Sequence, residues 1–226
     1  MYSTLLAKQG QYIEAKRMAN LSLELLDKYP QCPDKPFIYM ALGSFLWPFC
    51  YPLKQAIDFQ LKAHETGYEF GNIALGVVAG YSNSIINKYT QGLPLDQLNT
   101  NLEHLYTINR RHGTKIAAGS YYRYLVNMLT QANPENQLDK AAFSEGEWQL
   151  IQSCGLKAFL EHLQLQWFFW SDQSEAAWQA IKSAELSLVQ MSGFITPLEH
   201  RFIAALLACK KWPGDQNENQ KELAET

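Results

Sequence analysis

The sequence predicts an all-α protein whose helices pair antiparallel and stack as an α-solenoid. Apolar residues recur at steps of three and four along almost the whole chain, and no strict alternation typical of strands persists beyond a few residues. Proline and glycine interrupt this pattern at intervals that leave short turns. The resulting units of about 34–45 residues fall in the range of helical repeats, which corresponds to about ten or eleven helices.

In the first half of the chain, each predicted helix is bounded by proline or glycine. We expect Pro48 to end the second helix and Gly67 to cap the third. The fourth contains Gly76 and Gly80, and each interior glycine costs about 1 kcal/mol of helix propensity. This cost indicates that neighbouring backbones approach closely there. The predicted helices are 12–29, 37–47, 53–65, 70–89 and 95–111.

The second half continues the helical pattern as far as residue 212. The helices predicted there are 115–131, 143–153, 156–170, 174–190 and 197–212. After Trp212 the sequence becomes polar and has no apolar stripe, which is typical of a disordered tail or a linker. We therefore predict one helical-repeat domain at 1–212 and a polar tail at 213–226.

Composition and charge exclude several classes of partner. There are 19 Lys and Arg residues against 22 Asp and Glu, a net charge of −3, whereas nucleic-acid interfaces usually show clustered positive charge. The most apolar stretch, 72–86, is interrupted by glycines and is too short to span a membrane. No signal-peptide pattern opens the chain. We predict a cytoplasmic protein that contacts neither nucleic acid nor membrane.

No pattern in the sequence predicts catalysis, a cofactor or a metal site. The four cysteines form no CxxC pair, and HExxH and glycine-rich phosphate loops do not occur. Three histidines follow a glutamate, but neighbours on a helix point about 100° apart and cannot act as a local pair. We expect ordinary surface or helix-end histidines. They are His64, His104, His112, His162 and His200.

Polar stripes on predicted helices are the candidate binding residues. Residues three or four apart share a helix face, so each stripe could line the concave groove of a solenoid and contact a partner. The alternative is a solvated face. The stripes are Asn83 and Asn87; Ser120, Arg123, Asn127 and Gln131; and Lys157, Glu161 and Gln164.

Four consecutive aromatic residues, Trp167-Phe168-Phe169-Trp170, must radiate around their helix. One or two of the rings are therefore exposed or pack against an adjacent repeat. The alternative is a ligand platform, in which case an apolar pocket between repeats, near Trp167, Trp170 and Tyr124, would make the chain a small-molecule sensor.

Three segments resemble tetratricopeptide repeats. The first is KQGQYIEA at 8–15, the second is Leu42-Gly43 with Ala56 and Ala63, and the third is SDQSEAA at 171–177 with Ala184. Small residues stand where that repeat brings its helices together. The resemblance implies a right-handed solenoid whose first helices line the groove.

A narrower resemblance covers most of the chain. PLKQAIDFQLKAHETG at 52–67, the glycine-rich helix at 71–89, Gly92-Leu93-Pro94-Leu95 and Pro197-Leu198-Glu199 follow in an order similar to the helical-repeat region of very large bacterial signal-transduction ATPases. The resemblance implies a non-catalytic sensing arm or scaffold that binds a protein partner or neighbouring domains of the same polypeptide. Because 1–9 is too short for a full first repeat helix, we expect a fragment of a longer protein.

Overall fold

The computed structural model describes residues 2–112, 145–146, 149, 157–188 and 196–211. Throughout these ranges the regular structure is helical and contains no strand, which confirms the all-α class. The chain divides into two compact units, Met1–Arg123 and Tyr124–Thr226. The predicted helix 115–131 and most of 143–153 lie outside the described residues, and the solenoid arrangement stays a prediction.

The helices described in the first unit are α1 Tyr2–Lys8, α2 Tyr12–Lys28, α3 Lys35–Ala41, a π-helical segment Leu42–Leu46, α4 Trp47–Cys50, α5 Leu53–Glu69, α6 Ile73–Thr90 and α7 Leu95–Arg111. Helix α5 is central and packs along α6 and α3, while α6 also contacts α7. The core of this unit includes the small and branched side chains of Ala15, Ala19, Leu46 and Ala56.

The prediction that Pro48 ends a helix is wrong. The backbone passes from α3 through the π-helical segment, where the Trp47 N–H bonds to the Leu42 carbonyl, and continues into α4. The change of register places Pro48 at the start of α4. Proline is tolerated there because its missing N–H has no helical partner to lose.

Gly67 does not cap α5, contrary to the prediction. The helix continues to Glu69, and Gly71, with φ of +73°, follows its end. Gly67 lies inside the helix because α6 crosses it closely: a Cβ added to Gly67 would lie 2.6 Å from the Gly76 Cα and 2.7 Å from the Gly76 nitrogen. Only glycine fits this approach.

The expected close contact across the α6 glycines is confirmed at Gly76 and takes another form at Gly80. Gly76 meets the backbone of α5, whereas a Cβ on Gly80 would meet the side chains of Leu105 at 2.7 Å and His64 at 2.9 Å. The His64 Nδ1 lies 2.7 Å from the Gly76 carbonyl oxygen, to which it donates. Gly76 therefore allows the close approach of the α5 backbone, and Gly80 leaves space for the imidazole of His64.

The second unit contains three described helices, α8 Lys157–Trp170, α9 Ser174–Leu188 and α10 Thr196–Lys211. α8 packs most extensively on α9, and α10 contacts both. Among the described helices of either unit, none combines the length and apolar character needed to cross a membrane. The shared core consists of Leu165, Ala177, Trp178, Ala180, Ile181, Ile203, Ala204, Leu207 and Ala208.

Candidate functional site

The predicted groove residues fall partly within the described chain. Asn83 is half-buried on α6, and Asn87 lies on the same helix with its side chain outside the description. On α8, Lys157 is exposed, Gln164 is half-buried and Glu161 is buried. Ser120, Arg123, Asn127 and Gln131 lie outside the described residues. The structure therefore places one stripe on α6 in the first unit and another on α8 in the second unit.

The α8 stripe is not a uniform solvated face. Glu161 is buried with its carboxylate 3.5 Å from the Lys157 ammonium, one helical turn away. This pair sits at the start of α8 and uses an exposed lysine to compensate a buried carboxylate. Lys157 is thus the member of this stripe that is most open to a partner.

The aromatic run at the end of α8 has one exposed ring, in agreement with the prediction that the four rings cannot all lie in the core. Trp167 is buried, Phe168 and Phe169 are half-buried against the core, and Trp170 is 62% exposed. The buried indole Nε1–H of Trp167 has no hydrogen-bond acceptor within the described ranges. Three of the rings therefore serve packing, and one faces outward.

α10 also carries an exposed apolar face, which was not predicted from the sequence. Leu198, Phe202 and Leu206 are 54%, 62% and 38% exposed, and their spacing of four puts them on one side of the helix. The other side carries Ile203 and Leu207, which are buried in the core. A helix packed on one side needs only one apolar stripe. Counting apolar residues around α10 would have revealed the second stripe.

A buried polar cluster joins α8 to α10. His162 Nε2 and Gln166 Nε2 each lie 2.7 Å from the same Glu199 oxygen and 2.7 Å from each other. His162 and Gln166 are fully buried, and the Glu199 side chain is 12% exposed. A carboxylate only accepts, so Gln166 donates to it, and His162 donates to it when Nε2 carries a proton.

His200 extends this cluster. It is buried, its ring centroid lies 6.0 Å from that of His162, and it hydrogen-bonds to the backbone of Ile181 on α9. Burial, followed by the neighbouring His162, lowers the pKa of His200 to about 4. The Nδ1 atoms of both rings are buried and have no partner in the described part of the chain.

The prediction of surface or helix-end histidines is therefore wrong for His162 and His200. It holds for His104 and His112, which are exposed. His64 is half-buried between α5 and α6. The acidic partner of His162 is not the adjacent Glu161 but Glu199, which is 37 positions away in the sequence. A single sequence carries no signal for such a pair, because periodicity identifies the face of a helix and not the helix that meets it.

No group of three or more His, Cys, Asp or Glu side chains in the described ranges could hold a metal ion. The cluster between α8 and α10 is enclosed, with only the carboxylate near its edge. No family model matches the sequence, and neither a curated protein nor a solved structure matches it significantly.

Proposed function

We propose that this chain is a non-catalytic scaffold that binds an amphipathic helix of a protein partner, as a part of a larger cytoplasmic signalling protein. The observation that carries the proposal is the exposed apolar face of α10, formed by Leu198, Phe202 and Leu206. Contiguous exposed apolar residues on a protein surface are typical of interaction sites. Helix-shaped partners insert anchors at the same four-residue spacing.

The face of α10 suits such a partner because it is supported from behind. Ile203, Ala204 and Leu207 fix the helix on its core, so binding on the opposite side orders few additional groups. At the C-terminal end of α10, the exposed Lys210 pairs with Asp172, in the turn between α8 and α9. The face is thus preorganised.

The resemblance to signal-transduction ATPases supports the wider setting and suggests two sources for the helix. The partner helix belongs either to a separate protein or to the ATPase module of the parent polypeptide. The concave groove lined by the predicted polar stripes is a second surface for the same function, with Lys157 as its exposed described residue.

Affinity capture with matched variants tests the proposal. The bait is the chain as wild type, as Phe202→Glu/Leu206→Glu, and as Ile13→Glu, a control at an exposed apolar residue of α2. We expect a discrete protein to be captured by wild type and control and lost in the double variant, with circular dichroism unchanged. If the same protein is retained by the α10 variant but lost with Arg123→Ala/Asn127→Ala, the binding site is in the predicted groove and not on α10. Retention by every variant would contradict both surfaces.

A small-molecule sensor is the second candidate function, favoured by the buried Trp167 indole N–H without a described acceptor. Buried donors are nearly always paired, so an acceptor atom of a ligand would stabilise this one. A ligand found by thermal-shift screening should raise the melting temperature with concentration. It should lose this effect in Trp167→Phe, which keeps an aromatic side chain and removes the donor. Equal shifts in both proteins would contradict a role for the indole.

A further inference from the structure

The cluster between α8 and α10 contains two buried imidazoles and one carboxylate. His162 and His200 are both almost fully buried, and Glu199 lies against His162. The carboxylate is in hydrogen-bond contact with His162 and Gln166, so a positive charge on the buried His200 ring would lie apart from it. A buried charge without a hydrogen-bonded partner is strongly disfavoured.

Each helix packed around His200 contributes to this balance. α8 contributes His162, α9 contributes the backbone of Ile181, and α10 contributes Glu199 and Arg201. His162 and Arg201 oppose a positive charge on His200, whereas Glu199 and the Ile181 backbone favour it. Burial is the largest influence and also opposes the charge. The environment as a whole keeps His200 neutral.

We propose that the paired imidazoles make the docking of α10 on α8 and α9 sensitive to acid. At neutral pH, His200 is uncharged and α10 stays docked. As the pH falls, proton uptake by His200 favours an open form in which this ring reaches water. The open form exposes the packed side of α10, Ile203, Ala204 and Leu207. This inference does not depend on the proposed binding function.

The direction of the effect follows from proton linkage. In the docked form the pKa of His200 is about 4, and in an open, solvated form it returns to its ordinary value of 6.5. The open form therefore binds more protons between these values, and opening becomes more favourable as the pH falls through that range. We expect the equilibrium constant for opening to rise about tenfold from pH 7.5 to pH 5.5.

Native-state amide hydrogen exchange of the full chain measures this constant directly. Exchange rates of the α10 amides, corrected for the intrinsic effect of pH, should give the tenfold rise in the wild-type chain. Amides of α5, around Ala56 and Ile57, act as the internal reference. The variant His104→Gln, at an exposed histidine of α7, should retain the rise in α10.

Two substitutions of His200 decide the role of its titration. His200→Phe keeps an aromatic ring without a titratable group, and His200→Gln keeps a polar side chain in case the apolar variant does not fold. We expect the opening of α10 to become independent of pH in either variant that folds. An unchanged opening constant in the wild type between pH 7.5 and 5.5 would overturn the proposal. So would a tenfold rise that persists in His200→Gln.

Discussion

Within the described part of the chain, histidines lie in two helix interfaces, and the groups that surround the rings differ between the two. Between α5 and α6, the imidazole of His64 occupies the space above Gly80 and donates to the Gly76 carbonyl. Between α8 and α10, His162 and His200 share one buried layer with Gln166 and Glu199.

The two interfaces differ in whether the groups next to the histidine rings respond to pH. A backbone carbonyl accepts a hydrogen bond at every pH, and its position is fixed by the helix to which it belongs. In the second interface, burial and the neighbouring His162 lower the pKa of His200 to about 4, so the charge of this ring depends on its surroundings. The first interface is therefore defined by steric fit, and the second by a balance of charge. Substitutions in the two interfaces should separate these two mechanisms.

The largest expected effect is at the glycine crossing. Gly67→Ala should lower the free energy of unfolding of the first unit by about 3 kcal/mol, because the added Cβ meets only backbone atoms, which no rotamer change can move. Urea denaturation with amide exchange in α5 and α6 measures the loss. Gly146→Ala is the control, since its Cβ would meet no atom within 4 Å. A Gly67→Ala protein as stable as this control would contradict the steric account.

In the polar interface, Glu199→Ala should destabilise the second unit by about 2 kcal/mol. The substitution leaves the Gln166 and His162 nitrogens, both fully buried, without their shared acceptor. Glu199→Gln keeps an acceptor oxygen and should recover about half of the loss. Amide exchange in α8 and α10 provides the measurement. Equal losses in the two variants would show that the hydrogen bonds do not contribute.

A smaller effect is expected at Gly80, where side chains rather than backbone define the space. Gly80→Ala should cost about 1 kcal/mol, because the ends of Leu105 and His64 can rotate away. A double-mutant cycle with Leu105→Ala tests the reason. The added methyl should be better tolerated when Leu105 is shortened, giving a coupling free energy of about 1 kcal/mol. Additive effects would show that the methyl and Leu105 do not meet.

The smallest expected effect is on the outer face of α10. Phe202→Gln should change the free energy of unfolding by no more than about 0.5 kcal/mol, because the ring is largely exposed. Ile203→Ala, one position along and packed in the core, should cost about 2 kcal/mol or more. Thermal denaturation of the two variants compares the two faces. A large loss with Phe202→Gln would mean that the outer face is structural and not available for binding.

Local signals in the sequence were sufficient for much of the helix assignment. The bounds of α7 agree with the prediction, because Pro94 precedes its first turn and an apolar stripe of Leu98, Leu102 and Leu105 runs along it. The glycines of α6 also predicted a close approach. These features depend on residues within one or two turns, which a single sequence displays directly.

The errors share a physical cause, which is contact between segments distant in sequence. Gly67 has the form of a helix stop, but its place inside α5 depends on Gly76 crossing it on the next helix. His162 has the form of an ordinary polar residue, but its burial depends on Glu199. In both cases, the residue that determines the position or burial of the side chain lies on another helix. The local sequence pattern around Gly67 or His162 contains no information about that distant residue.

The π-helical segment Leu42–Leu46 has a consequence for comparison with relatives. A π-helical hydrogen bond spans one more residue than an α-helical one, so the segment is equivalent to an insertion of one residue into an α-helix. Within this segment, Gly43 leaves space for the side chain of Gln60, because a Cβ at position 43 would lie 2.8 Å from the Gln60 amide nitrogen. That amide donates a hydrogen bond to the Ser44 hydroxyl. A relative with an uninterrupted helix should align here with a gap of one residue. The gap, a larger side chain at position 43 and the loss of Gln60 should then occur together.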